Sequence, residues 1–260
     1  MRCCLETPFV SYSKNDMSYA DLTFKDANPI KRWLQRQRLV SAMNLYSAMR
    51  IAPEAICDFG AGNGELCKML AARYPDAKLV CYEPTPYLLS EARQNLAAFS
   101  EVEFCQNIQN VKAETFDVVF CLEVFEHLPS AETDDALKSI FSVLKVNGMI
   151  VIGVPVEVGV PALYKGIFRM FRRYGAFDAN IKNVVLSFLW HPPKDRPVSE
   201  IAPGFRFHYE HTGFDFRGLK NILTRYFELR TVAASPFSAF GSLLSPEVYF
   251  VAEKSRFLPN

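Results

Sequence analysis

The sequence predicts a doubly wound α/β fold, a mostly parallel sheet with helices on both faces, and two observations carry that prediction. From Ala55 to Val154 short apolar runs alternate with longer amphipathic ones, the pattern of parallel strands joined by crossover helices. A bare glycine stretch, "DFGAGNG", follows the first of those runs, where such a sheet needs a tight turn into a helix. With 260 residues, half of them hydrophobic, the chain can bury the core of one such domain and carry an elaborate insertion.

Taken in order, "AICDFG" reads as a strand and "GELCKMLAARYP" as a helix. "KLVCYEP" and "PYLLSEARQNLAAF" repeat the pair. "VEFCQN" and "FDVVFCLEV" are the third and fourth strands. "AETDDALKSIFSVLKVNG" is a helix closed by the turn residues Asn147 and Gly148, and "MIVIGVP" is the fifth strand. Upstream, "NPIKRWLQRQRLVSAMNLYSAMR" has the character of a helix. The alternation breaks after Glu157 and returns with a helix in "TGFDFRGLKNILTRY" and a closing pair of strands, "FELRTVAASPF" and "EVYFVAEKS". The expected division is a helical cap over residues 1–50, a ligand-binding core over 51–156, an insertion over 157–203 and a completion of the sheet over 204–260.

The formal net charge is +1, which removes any broad electrostatic attraction to nucleic acid, and no nucleic-acid partner is expected. The start of the chain has no sustained apolar run of the secretory kind, and the most apolar stretch is interrupted by Glu157 and two prolines, so a cytoplasmic location is expected. Seven cysteines without a CxxC pair, four of them (Cys57, Cys81, Cys105, Cys121) in or beside strand-like runs, read as reduced packing residues.

In a doubly wound sheet, ligands bind beyond the carboxyl ends of the strands, where the glycine loop falls. Its spacing is G-x-G-x-G (Gly60, Gly62, Gly64) rather than the G-x-G-x-x-G of dinucleotide sites, and an acid, Glu65, stands where a pyrophosphate would sit. The second strand also ends in an acid, Glu83, placed to accept hydrogen bonds from two ribose hydroxyls. A ligand with a ribose, a cationic amino-acid end and no phosphate fits this arrangement, and S-adenosylmethionine has that description.

Together "ICDFGAGNGELCKML", "CYEP", "FDVVFCLEVFEHLP" and "LKVNGMIVIGVP" resemble the class I S-adenosylmethionine-dependent methyltransferases, of the type 11/12 group, and are similar to the ubiquinone-biosynthesis O-methyltransferases. The resemblance runs from Ala55 to Pro155 and implies a Rossmann-like sheet. It implies that Gly60, Ala61, Gly62 and Gly64 admit the methionine end of the cofactor, with Asp58 near its ammonium. Glu83 would take the ribose hydroxyls and Pro84 would shape the adenine side. Asn107 and Ile108 would lie near the adenine, although "CQNIQN" offers amides where an Asp is frequent. Cys121, Leu122 and Glu123 would end the fourth strand beside the sulfonium.

The "EVFEHL" segment supplies the candidate chemistry. If Glu123 starts a helical turn, Glu126 and His127 follow on its face, and both are candidate catalytic groups, with His127 as base or orienting group. Glu123, Glu126 and His127 could instead bind a divalent metal, with His208 or His211 as further ligands; the metal-free role is preferred. The insertion contains "ALYKGIFRMFRRYG", with Lys165, Arg169, Arg172 and Arg173 on one helical face and Leu163, Ile167, Met170, Phe171 and Tyr174 on the other. A lid, with its apolar side over the site and its basic side in water, is preferred for residues 162–177. Peripheral contact with the inner membrane face is the second reading. The expected function is S-adenosylmethionine-dependent methylation, on oxygen, of a small-molecule, lipid-linked or glycan-linked acceptor. The rivals are a non-catalytic module that binds the same cofactor and a nicotinamide-dependent oxidoreductase.

Overall fold

The computed structural model describes residues 29–50, 52–202 and 205–255. Cys3 and Cys4 lie outside them.

Strands β1 (Ala55–Phe59), β2 (Lys78–Tyr82), β3 (Val102–Cys105), β4 (Phe116–Leu122) and β5 (Leu144–Pro155) are mutually parallel. With β8 (Glu228–Ser235) and β9 (Glu247–Glu253) they form one seven-stranded sheet in the order β3-β2-β1-β4-β5-β9-β8. Strand β9 runs antiparallel to both β5 and β8, so the last two strands close the sheet as an edge pair. The strand order reverses between β1 and β4, and the carboxyl ends of those two strands therefore flank the crevice.

Both faces are covered. Helices α1 (Pro29–Ser47), α2 (Glu65–Arg73) and α3 (Pro86–Asn95) pack Ala42, Met43, Leu66, Leu70 and Ala92 against Ile56, Val118 and Phe120. Helix α4 (Ser130–Val143) and helix α7 (Phe216–Leu223) cover the other face, with Leu137, Ile140, Leu219 and Leu223 against Cys57, Val119 and Cys121. Alternate residues of each central strand thus enter different cores, which is why the strands read as continuous apolar runs. Cys57, Cys67, Cys81, Cys105 and Cys121 are all free thiols, and all but Cys105 are buried.

Two expectations are corrected. Helix α4 stops at Val143, and Leu144 already begins β5, so Asn147 and Gly148 lie inside the strand rather than between helix and strand. The strand is irregular there: Leu144 pairs with Phe116, the register then shifts, and Asn147 takes φ +63°. Long-range contacts hold this start in place. Lys145 Nζ reaches Asp117 Oδ1 at 2.7 Å and Lys254 Nζ donates to the Leu144 carbonyl at 2.8 Å.

The second correction concerns the insertion, which holds α5 (Val160–Arg173), α6 (Ile181–Phe188) and a two-stranded sheet of β6 (Ser199–Ala202) and β7 (Phe205–Phe207). Helix α5 is amphipathic as expected but turned over. Lys165 and Arg169 point inward, whereas Ile167, Phe168, Phe171 and Tyr174 are exposed. The cause is Glu157, 1% exposed at the foot of the helix. Its carboxylate accepts from Lys165 Nζ at 3.1 Å and from both terminal nitrogens of Arg169 at 2.8 and 2.9 Å. Buried Asp178 takes Arg169 and Arg173 from the other side. A buried carboxylate needs paired cations more than an apolar side chain needs cover, so the basic face turns in.

Burial alone would raise the Glu157 carboxyl, but Lys165 and Arg169 outweigh it and hold the group well below the usual carboxylate range. Stability from a depressed acid is fully present above its unfolded pKa and lost as pH falls towards the folded one. Glu157→Gln is expected to cost about 3 kcal/mol in urea unfolding at neutral pH. The gap from wild type should narrow as pH drops below about 4, where the unfolded carboxylate titrates. A gap independent of pH would show that charge is not what holds α5.

Candidate functional site: the crevice at β1 and β4

The loop after β1 is held by backbone donors. Gly60 and Ala61 donate to the Tyr82 carbonyl, both at 2.9 Å, and Gly62 donates to Glu83 Oε2 at 2.9 Å. All three glycines have positive φ, 77°, 55° and 80°. They differ in surroundings: a Cβ on Gly60 would meet Val124 at 2.5 Å and one on Gly64 would meet Leu96 at 2.7 Å, whereas one on Gly62 would meet nothing within 4 Å. Gly60 and Gly64 therefore permit close packing, and Gly62 is the open face of the loop. The Gly60 contact also fixes the loop against the segment after β4.

Glu83 is 5% exposed and spans the mouth of the crevice, its second oxygen accepting from Thr85 N at 2.9 Å. Burial raises its pKa, against the pull of the Thr85 and Gly62 donors. Asp58 is buried beneath the loop, accepts from the Cys67 thiol at 3.2 Å, and is pushed up to about 7, chiefly by burial. Pro84 is half-buried beside Glu83. Asn107 is exposed, its side chain accepting from Gln109 N, and Ile108 is buried next to it. Glu65 is held aside by Asn95 at 2.7 Å and Lys68 at 3.3 Å.

At the end of β4, Cys121 is wholly inside the core, so only its backbone faces the crevice end of the strand, while Leu122 is half-buried. Glu123 takes φ +57° and donates its N–H to the Gly153 carbonyl. Its Oε2 accepts from Arg38 at 2.8 Å, and the same guanidinium also binds Glu247 of β9. Arg38 thus bolts α1 across the ends of two strands.

The following 3₁₀ turn, Phe125–His127, carries the most unusual group. Glu126 is 0% exposed and neither of its carboxylate oxygens has a hydrogen-bond partner. Burial, with Glu247 adding to it, lifts its pKa to about 8. His127 donates Nδ1–H to the His208 carbonyl at 2.7 Å, which leaves Nε2 with its lone pair 3.3 Å from His211 Nε2. Burial drives His127 down to about 4, and His211 falls well below its ordinary value through burial and its His127 neighbour. Ligand atoms of Glu126, His127 and His211 all lie within 4.8 Å of one another. The fit to a cation is good: two neutral imidazoles and an orphaned carboxylate converge, and one imidazole is oriented by a backbone carbonyl. His208 contributes that carbonyl rather than its ring, which bonds Pro197.

A cavity of about 440 Å³ opens between α1, α5 and β9, with Arg38, the partner of Glu123, in its wall. Arg38, Tyr164, Lys165, Phe168, Pro246 and Glu247 line it. Lys165 is used up by Glu157 and the carbonyls of Val156 and Pro246. Glu247 is lifted to about 8, first by burial and then by Glu123, against Arg38. Sequence reasoning singled out neither Arg38 nor Glu247, which are 209 positions apart. An unpaired acid in the apolar run "SPEVYFVAE" was the one available signal.

Residues 57–150 match the methyltransferase domain family. The chain is 26% identical over 110 residues to a trans-aconitate 2-methyltransferase of Methylobacterium radiotolerans, a match covering 42% of this chain and 41% of that protein. It is 28% identical over 103 residues to a malonyl-[acyl-carrier protein] O-methyltransferase of Geobacter sulfurreducens, covering 38% of each. The match thus spans about two fifths of the length of these relatives. The fold is similar, at TM-score 0.55 and 15% identity over 88% of this chain and 89% of the other, to the N-methyltransferase NodS of Bradyrhizobium japonicum in complex with S-adenosyl-L-homocysteine. Residues 57–150 therefore match a methyltransferase domain, and they lie within a fold shared with a structure that holds S-adenosyl-L-homocysteine.

Proposed function

We propose that this chain methylates a hydroxyl or carboxyl oxygen of an acceptor seated in the 440 Å³ cavity, with S-adenosylmethionine in the crevice at β1 and β4. The observation that carries the reading is the meeting of the two segments: the open Gly62 face, Glu83 and Glu123 all border one crevice end, and Glu123 connects it to the cavity through Arg38 and Glu247. The cofactor brings a methyl on a sulfonium, whose departure as a neutral thioether needs no acid. A new O–CH3 bond then requires an aligned oxygen that has lost its proton. Glu83 holds the ribose end, Asp58 the ammonium end, and Arg38 with Glu247 fixes the acceptor edge. One relative's own name records O-methylation.

The groups after β4 decide how the oxygen is activated. An imidazole held near pKa 4 is a weak base at neutral pH, but it is neutral and ready to be a ligand. Glu126, with no partner of its own, needs a cation. We therefore assign Glu126, His127 and His211 to a first-row divalent metal, the preference of a mixed nitrogen and oxygen donor set. Such an ion would lower the pKa of an acceptor oxygen.

Two measurements test this reading. In calorimetry, Glu83→Ala should weaken S-adenosylmethionine binding tenfold or more, with NADH giving no heat in either protein. Tight NADH binding would return the oxidoreductase reading. Titration with Mn2+ or Zn2+ should show binding that strengthens from pH 6.5 to 8.0, because Glu126 must lose its proton near pH 8 before it can serve as a ligand. Glu126→Gln and His211→Ala should each lower metal affinity at least tenfold, and the first should flatten the pH dependence. Methyl transfer unaffected by both variants would assign the chemistry elsewhere.

A further inference from the structure

The face that α5 turns to solvent has no function in the reading above. Phe171 is 87% exposed and Tyr174 is 74% exposed, and Ile167 of the same stripe is also open. On α6 the residues Ile181, Val185 and Leu189 are exposed at the same helical spacing. The two helices are one packed unit: a Cβ on Gly166 of α5 would lie 2.5 Å from Val184 of α6, so their backbones approach closely. Both apolar stripes therefore belong to a single inserted element, which leaves more large apolar side chains bare than soluble surfaces usually do.

The segment that carries the patch is rich in cations. Between Val158 and Lys194 the sequence contains six lysines and arginines and one acid, Asp178. Asp178 is 1% exposed and held by Arg169 and Arg173. Two of the cations, Lys165 and Arg169, are spent on Glu157 inside. Arg172, Arg173 and Lys182 remain at the surface with no exposed carboxylate in the segment to repel an anionic partner. Arg172 lies alongside Phe168, its guanidinium carbon 5.7 Å from the ring centre, so the basic groups flank the aromatic stripe.

We propose that α5 and α6 form a docking face for an anionic lipid bilayer, with Ile167, Phe171, Tyr174, Ile181, Val185 and Leu189 entering the headgroup boundary and Arg172, Arg173 and Lys182 meeting lipid phosphates. Exposed aromatic and aliphatic side chains flanked by surface cations, of which Arg173 also pairs with buried Asp178, are what an interfacial helix presents, and a purely apolar protein contact would not call for the cationic rim. Tyr164 and Phe168, which wall the 440 Å³ cavity, sit on the same helix, so the cavity edge adjoins the face. The proposal goes beyond the methyltransferase reading and stands without it, because neither the crevice nor the metal cluster enters its argument.

The test is vesicle flotation of the full chain, with phosphatidylcholine vesicles and with vesicles containing about one third phosphatidylglycerol. Co-flotation with the anionic vesicles, lowered at least tenfold in partition coefficient by Phe171→Ser with Tyr174→Ser and by Arg172→Glu with Lys182→Glu, is the expected result. These side chains are exposed, so Tm and S-adenosylmethionine affinity should stay at wild-type values in both double variants. No flotation with either vesicle overturns the proposal. Sedimentation showing a dimer that Phe171→Ser with Tyr174→Ser dissociates, together with no lipid binding, would assign the face to a second copy of this chain.

Discussion

Much of the arrangement outside the sheet depends on a single buried carboxylate. Glu157 sits where β5 ends and the insertion begins, and it collects Lys165 and Arg169 from the helix that follows. An unpaired charge there would be far more costly than an exposed phenylalanine, so the ion pairs choose the orientation of α5 and the apolar effect yields. From that choice follow the polar inner wall of the cavity, the contact of Arg169 with Thr212, and the bare aromatic stripe outside. The same carboxylate lies near His211, which joins the insertion electrostatically to the cluster after β4.

Inside the crevice, negative charge is in surplus. Buried Glu126 and Glu247 lie near the partly buried Glu123, and Arg38 is the cation that binds Glu123 and Glu247. Glu126 and Glu247 both rise to about 8, chiefly through burial, against the opposing pull of Arg38. A sulfonium and a divalent metal are both positive. On the proposed reading, each would offset part of that surplus.

The sheet was legible because its central strands are buried on both faces and its helices on one, so period and composition agree over Ala55–Pro155 except where α4 gives way to β5. The glycine loop and Glu83 were legible because their spacing is local. The end of α4 was not: "SVLKVNG" suits a helix as well as a strand, and Asp117 and Lys254, far away in sequence, decide for the strand. The faces of α5 were readable but not which one turns in, since periodicity carries no sign. His211 could be named as a candidate ligand, yet its place beside His127 depends on the path of β6 and β7. Arg38 and Glu247 were beyond reach because each is ordinary until it meets the other.

Arg38 also has a consequence for traffic into the protein. Helix α1 is fastened over the strand ends by that guanidinium, by the Tyr249 hydroxyl on the Arg38 carbonyl at 3.2 Å, and by Ser41 against Ser235 at 3.0 Å. Lifting α1 to admit a molecule would strip two acids of their counter-ion in one movement. A positive charge brought to Glu123 and Glu247 would offset that loss, so the fastening of α1 is sensitive to whatever cation lies at the strand ends.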